Sequence, residues 1–317
     1  MVWGLLQSEM RKSCAIMLAG ALAVPAAALA VPAAAQTQAA IAAPAESPPA
    51  PASLTIRRLV PEVEMVFAAQ DRRGHPVLNL SPPQIRVFDN GAAAAVTSFQ
   101  PAAALPLRVT LVLDASDSMR PGFAAQRQAA LAFLRRLQRD GSDQVCTLVF
   151  AARQAPDDAS DPAGVLSARQ LGGQTALYDA LAVAAASLQS SAPARRVLLL
   201  LSDGDDNYSR STLPDAIATL QRWNIAVFSV TVHNPRLEFP GDRVLRQLAE
   251  ATGGRAFLLR NYAQGDRIFA AFEKELRGQY VVGFRPAGRL AGGEFHSVKI
   301  VAPGITIRAR SGYYVSY

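Results

Sequence analysis

Four segments in the middle of the chain are hydrophobic almost without interruption, and helical patterns separate them. The segments are "LRVTLVLD" (107–114), "QVCTLVF" (144–150), "RVLLLLSD" (196–203) and "IAVFSVTV" (225–232). Strands that are buried on both faces of a parallel sheet have this pattern, whereas half-exposed strands alternate. Strands that alternate with helices in this way predict an α/β fold with a doubly wound, mostly parallel sheet.

Capping residues mark where the helices begin and end. Thr212 and Asp215 have the spacing of a capping box, and Pro214 falls in the first turn, where proline is tolerated. A later helical pattern runs into Gly253-Gly254, and glycine directly after a helix is typical of its C-terminus. These signals predict helices after the third and fourth hydrophobic segments.

Segments on both sides of this region predict further strands. On the N-terminal side, Asn90-Gly91 separates two strand-like runs and is the strongest short signal of a β-hairpin. On the C-terminal side the runs are "QYVVGFRP", "FHSVKIVAP" and "ITIRARSGYY". We expect Tyr280 and Phe284, in the first of these runs, to be core residues.

The flanking strands can be arranged in two ways. In the more economical one, residues 53–104 and 279–317 form one antiparallel β-sandwich, and the α/β domain at residues 105–278 is inserted between them. In the other, they are two separate β appendages, each rather small to be stable alone. We expect the single β-sandwich.

Residues 1–35 have the parts of a secretory signal peptide. Arg11 and Lys12 precede an apolar stretch at about 15–30, which ends in the small residues 33–35. The alternative is an uncleaved membrane anchor, because the stretch is long enough to span a bilayer. Cleavage is the favoured interpretation, since two prolines and a closing Ala-rich stretch are unsuited to a membrane helix.

The segment at 36–52 is rich in proline and alanine without periodicity, which predicts a disordered linker. We therefore expect a secreted, periplasmic or cell-envelope protein, and association with the membrane or envelope stays open. Cys14 falls in the signal segment, so Cys146 would be the one cysteine of the mature chain, which excludes an internal disulfide. Its place in a predicted buried strand favours a core residue.

Charge adds little to this picture. The chain of 317 residues has a formal net charge of +7, and arginine supplies nearly all of its basic residues. The arginine pairs are scattered and lack interleaved aromatic residues, so we expect no nucleic-acid partner.

Oxygen-bearing side chains follow the ends of two predicted strands. Asp114, Ser116 and Ser118 come at alternate positions after the first, and Asp203 follows the third in "SDGDDN". Thr175, in "GGQT", precedes a helix. Because ligands bind beyond the carboxyl ends of the strands in an open α/β sheet, these five side chains could converge on one point.

A donor set of oxygen alone favours a hard cation, Mg²⁺ or Mn²⁺, over zinc. Taken singly, each motif has an ordinary explanation: Thr175 as a plain helix N-cap, or Asp203-Gly204 as a turn. Together and in order at strand ends, they predict a metal site. Asp205 and Asp206 are interpreted mainly as solvated loop residues, with a supporting role behind the ligands as the alternative. The three histidines, His75, His233 and His296, are widely spaced in the sequence, and we assign them no part in the site.

These motifs resemble the metal-ion-dependent adhesion site of von Willebrand factor type A domains. More narrowly, the chain resembles the secreted von Willebrand factor A-related proteins of acidobacteria over about residues 53–317. The segments that carry this resemblance are "GGQTALYDAL", "LLLLSDGDDN", "LAEATGGRAF", "RGQYVVGFRP" and "RARSGYY".

The resemblance implies a role for each site residue. Ser116, Ser118 and Thr175 would bind the metal directly, Thr175 depending on the conformational state, while Asp114 and Asp203 would act mostly through water. The sixth position would stay open for a carboxylate of the partner. Asp117 departs from the glycine that is usual at its position in this subgroup, which adds negative charge beside the site.

We therefore expect an adhesion-like module that binds a protein partner through an Asp or Glu side chain, and not an enzyme. Its specificity would come from the loops at 153–171 and 207–211. Two alternatives stay open. A metal-dependent phosphoryl or ester hydrolase is disfavoured because the site loops hold no histidine and the chain has no phosphate-binding glycine loop. The other is an envelope assembly factor with a vestigial metal site.

Overall fold

A computed structural model of the chain describes residues 62–137, 143–151, 164, 171–189, 194–234, 236–261, 264–288 and 290–315. The predicted signal peptide and linker lie outside these residues, as does nearly all of the predicted specificity loop at 153–171. The described residues belong to one compact unit. Within them, none of the helices combines the length and apolar character that crossing a bilayer requires.

Five parallel strands form the central sheet, in the order β5-β4-β6-β7-β8. Their bounds are β4 Leu107–Asp114, β5 Gln144–Phe150, β6 Arg195–Leu201, β7 Ile225–Val232 and β8 Arg255–Leu259. The four hydrophobic segments thus form the predicted parallel strands. The strand order reverses between β4 and β6, which places a ligand-binding crevice at their carboxyl ends.

Helices cover both faces of this sheet, as a doubly wound fold requires. They are α1 Phe123–Leu137, α2 Leu177–Ser187, α3 Leu213–Arg222, α4 Pro240–Thr252 and α5 Gly265–Arg277. On one face α1 and α5 share an apolar core, in which the rings of Phe133 and Phe269 are 4.6 Å apart. Helices α2, α3 and α4 share the core on the other face, with Leu181, Leu220 and Leu248 fully buried.

The predicted helix signals are present. The Thr212 amide donates to the Asp215 carboxylate at 3.0 Å, and the Thr212 hydroxyl accepts from the Asp215 amide at 3.4 Å. Gly253 ends α4 with a φ of 80°, in the left-handed region that glycine adopts most easily.

Seven antiparallel strands from both ends of the chain form a second sheet, in the order β11-β1-β9-β3-β2-β10-β12. The N-terminal strands are β1 Val63–Gln70, β2 Arg86–Asp89 and β3 Ala92–Pro101. The C-terminal strands are β9 Gln279–Arg285, β10 Phe295–Val301, β11 Thr306–Ala309 and β12 Gly312–Tyr314. Since β9 lies between β1 and β3, the two flanking segments form one unit, as expected.

The architecture of this unit differs in one respect from the expected sandwich, because it is a single curled sheet around one core. A register shift between Val96 and Ser98, where β3 pairs with β9, marks an irregularity of the kind that bends strands. Tyr280 and Phe284 lie in this core, as expected. The predicted hairpin joins β2 to β3, with positive φ at both Asn90 and Gly91.

The C-terminal strands join the flanking sheet to the α/β region through buried contacts. The Arg310 guanidinium donates to the carbonyl of Gln221 in α3 at 3.2 Å and to that of Glu64 in β1 at 2.9 Å. Desolvation lowers its pKa to about 10. Beside it, a Cβ atom added to Gly253 would lie 2.5 Å from the Arg310 backbone nitrogen. Two motifs noted in the sequence, "ATGG" and "RARSG", therefore meet at this junction.

We predict that Gly253→Ala is much more destabilising than Gly304→Ala. Both glycines have positive φ, at 80° and 71°, but nothing lies within 4 Å of a Cβ atom at position 304. The control should cost about 1 kcal/mol through backbone strain alone, and Gly253→Ala about 3 kcal/mol or more because it also forces the junction apart. Urea unfolding measures both, and equal losses would contradict the close junction.

Candidate metal centre

The predicted site residues lie in three loops at the carboxyl edge of the central sheet, at the switch point between β4 and β6. One loop follows β4 and contains Ala115 to Met119; its residues Asp117–Met119 form a 3-10 turn. The second, at 171–176, precedes α2, and the third, at 202–209, follows β6. Each loop therefore approaches the same edge from a different part of the chain.

Asp114, the last residue of β4, is fully buried. One of its carboxylate oxygens accepts from the Ser202 hydroxyl at 2.7 Å, and the other accepts from the Ser116 amide at 2.9 Å. Burial, with a smaller contribution from the charge of Asp203, raises the pKa of Asp114 to about 6. The hydrogen-bond donors that contact this carboxylate among the described residues are neutral.

The two serines of the first loop lie next to each other. Ser116 is buried and Ser118 is exposed, and their hydroxyl oxygens are 3.1 Å apart. Alternate spacing on a tight turn thus brings the two hydroxyls into contact with each other.

Thr175 is buried in the second loop and held by the third. Its amide donates to the Asn207 side chain at 2.9 Å, and its carbonyl accepts from the amides of Asn207 and Tyr208, both at 3.0 Å. Helix α2 has Ala176 as its N-cap, with no side-chain cap, so the alternative of Thr175 as a plain N-cap is wrong. The Thr175 hydroxyl makes no hydrogen bond to another described residue, which leaves its oxygen available to a ligand.

Asp203 is half-buried in the third loop, and one of its carboxylate oxygens accepts from the Asp205 amide at 3.2 Å. The backbone here packs tightly on the start of α4. A Cβ atom at Gly241 would overlap the Asp203 carbonyl, and one at Gly204 would overlap the Gly241 carbonyl. Gly204 also has a φ of 84°, so glycine is needed there for both space and conformation.

Direct hydrogen bonds connect the three loops. Ser202 of the third contacts Asp114, the Gly172 amide of the second donates to the Ala115 carbonyl of the first at 2.9 Å, and Asn207 of the third contacts Thr175. The structure thus brings together the loops that carry all five predicted residues.

Several residues that hold these loops in place were not among the predicted site residues. Asp206 was interpreted mainly as a solvated loop residue, but its carboxylate accepts from the Tyr178 amide in the first turn of α2 at 3.1 Å and from the Ser209 hydroxyl at 2.5 Å. Asp179 accepts from the amides of Arg210 and Ser211 at 3.0 and 3.1 Å. The Ser209 contact is local, but no local spacing reveals the bonds to Tyr178, Arg210 and Ser211, because each of these joins residues about 30 positions apart.

The donor set fits a hard divalent cation. Two carboxylates and three hydroxyls are offered, and a divalent ion would supply the positive charge that the buried Asp114 lacks. Among the described residues, no group of three or more His, Cys, Asp or Glu side chains could hold a metal, so a site here depends on its hydroxyls. Such a set suits Mg²⁺ or Mn²⁺ better than zinc.

With this fold and site, the chain belongs to the von Willebrand factor type A domain family, whose model matches residues 109–271. The resemblance to von Willebrand factor type A domains that the sequence shows is thereby confirmed over residues 109–271. Domains of this family are usually non-enzymatic interaction modules. A comparison with curated proteins found no match.

Several solved structures resemble the chain. Their sequence identity to it is low, so the resemblance concerns the fold alone. Proximal thread matrix protein 1 from the mussel byssus is 18% identical over 57% of this chain, with a TM-score of 0.44, and this chain covers 48% of its length. BatB from Bacteroides thetaiotaomicron is 17% identical over 53% of this chain and 98% of its own, with a TM-score of 0.43. A von Willebrand factor type A protein from Catenulispora acidiphila is 14% identical over 81% of this chain and 74% of its own, with a TM-score of 0.44.

We predict that Asp206→Ala destabilises the protein by about 1–2 kcal/mol, since it removes the acceptor for the first turn of α2. Asp205→Ala is the matched control, because Asp205 is adjacent but exposed, and a surface change of this kind should be nearly neutral. Thermal unfolding distinguishes the two variants. A loss of stability in Asp205→Ala but not in Asp206→Ala would contradict the role of Asp206 as the acceptor for the first turn of α2.

Proposed function

We propose that the chain is a metal-dependent protein-binding module. In this proposal Asp114, Ser116, Ser118, Thr175 and Asp203 hold Mg²⁺ or Mn²⁺, and the ion captures an Asp or Glu side chain of a partner protein. The supporting observation is that three mutually bonded loops bring a buried carboxylate with neutral hydrogen-bond donors together with the paired hydroxyls of Ser116 and Ser118.

The chemistry of the donors supports capture rather than catalysis. Hydroxyl ligands carry no charge, so an ion held mainly by them keeps much of its positive charge and attracts an anionic side chain. The chain's own residues would orient the ion: Ser202 and the Ser116 amide fix the Asp114 carboxylate, and Asn207 fixes Thr175. The three histidines lie outside the three loops, which leaves no imidazole there for proton transfer.

The exposed rim of the site would select the partner. Tyr208 is 53% exposed, and its backbone amide is bonded to the Thr175 carbonyl, which places an exposed aromatic residue next to the Thr175 loop. Exposed aromatic side chains contribute strongly to protein interfaces. The predicted signal peptide at residues 1–35 supports a location outside the cytoplasm, where Mg²⁺ and envelope proteins are both accessible.

We predict that Mg²⁺ stabilises the wild-type protein and does not stabilise Ser116→Ala. At a Mg²⁺ concentration of about 100 times Kd, binding to the folded state adds about 2.7 kcal/mol to the free energy of unfolding. Thermal unfolding with and without Mg²⁺, together with isothermal titration calorimetry, measures the effect. Ser297→Ala, an exposed serine in the flanking sheet, serves as the control and should respond like the wild type.

We predict that partner capture depends on the ion and on the rim. The immobilised full chain should retain envelope proteins from the source organism in Mg²⁺ and release them in EDTA. Asp114→Ala should bind none of the same proteins, while Tyr208→Ala should bind metal normally and bind partner about tenfold more weakly, as a moderate hot spot does. Unchanged capture by Asp114→Ala in EDTA would contradict the proposed function.

A further inference from the structure

We infer that Asp117 is a positioning residue that holds the Thr175 loop against the Ser116–Ser118 turn, so that the metal site is assembled before the ion arrives. This inference rests on the proposed function. It concerns a residue that lies between two proposed ligands but is not itself one of them.

Asp117 and Gly173 exchange two hydrogen bonds. The Asp117 amide donates to the Gly173 carbonyl at 3.0 Å, and the Gly173 amide donates to a carboxylate oxygen of Asp117, also at 3.0 Å. The first bond uses backbone alone and is open to any residue except proline. The second exists because position 117 carries an acceptor side chain of the right length.

Both oxygens of the Asp117 carboxylate have partners. One accepts from Gly173, and the other accepts from the Arg120 guanidinium at 2.5 Å. Arg120 therefore offsets part of the negative charge that Asp117 adds beside the site. The Asp117 and Arg120 side chains are 58% and 65% exposed, and an ion pair this exposed contributes little to global stability.

The second loop needs such a constraint because it contains Gly172-Gly173. Both glycines have positive φ, at 155° and 95°, and glycine loses more conformational freedom on ordering than other residues. Thr175 follows two positions later. Asp117 fixes the loop before Thr175, and Asn207 fixes Thr175 itself, so the proposed ligand is held from both sides. Preorganisation of this kind raises affinity without adding a contact to the ion.

The test compares Asp117→Ala and Asp117→Asn with the wild type in the full chain. Hydrogen exchange of the 171–176 segment without metal reports on the loop, and calorimetric titration with Mg²⁺ reports on the site. Asp117→Ala should speed exchange at Gly173 and weaken Mg²⁺ binding by about three- to tenfold, the net effect of one typical intramolecular hydrogen bond. Its melting temperature without metal should stay close to that of the wild type.

Asp117→Asn separates position from charge, since its side-chain oxygen can still accept from the Gly173 amide. It should restore slow exchange and most of the Mg²⁺ affinity. Arg120→Ala should leave the exchange at Gly173 unchanged, because that bond uses the other carboxylate oxygen. Wild-type exchange and affinity in Asp117→Ala would overturn the inference, as would an Asp117→Asn variant as impaired as Asp117→Ala. Equal Mg²⁺ responses of the wild type and Ser116→Ala would instead refute the proposed function, and the exchange data would still decide whether Asp117 holds the loop.

Discussion

The hydrogen bond between the Ser202 hydroxyl and the buried carboxylate of Asp114 fixes the ends of β4 and β6 to each other at the switch point of the sheet. A carboxylate this deeply buried requires donors, and those among the described residues come from Ser116, in the loop after β4, and Ser202, in the loop after β6. Because those donors are neutral, none of them compensates the negative charge of the ionised carboxylate. The same contact therefore shapes the fold at this edge and leaves a buried carboxylate whose hydrogen-bond donors among the described residues are all neutral.

Around this contact, the other polar side chains of the loops accept hydrogen bonds mainly from backbone amides. Asp206 accepts from the first turn of α2, Asn207 holds both backbone groups of Thr175, and Asp117 reaches the Gly173 amide. Loop backbones thus find their hydrogen-bond partners in neighbouring loops. This framework holds the loops that carry the proposed ligand hydroxyls, although these loops come from distant parts of the chain.

The sequence predicted those parts of the fold whose signal is local. Uninterrupted hydrophobic runs marked the parallel strands, Asn90-Gly91 marked the hairpin, and Thr212 with Asp215 marked a helix start. The single curled sheet in place of a sandwich was not predictable, because it depends on how β9 pairs with both β1 and β3. Four of the five candidate ligands could be named from their position after strand ends, and Thr175 from its loop before a helix. The residues that hold these loops have partners far away in sequence and no periodic pattern.

The position of β9 also determines the order in which the chain can fold. Strand β1 and the β2–β3 hairpin emerge from the ribosome first, yet within the sheet they are joined only through β9, which is made after the whole α/β region. Until then, the edges of β1 and β3 that will pair with β9 carry unsatisfied backbone groups, a state prone to mispairing. These edges would stay unpaired for as long as the α/β region takes to be synthesised, so the flanking sheet can be completed only after nearly all of the chain has been made.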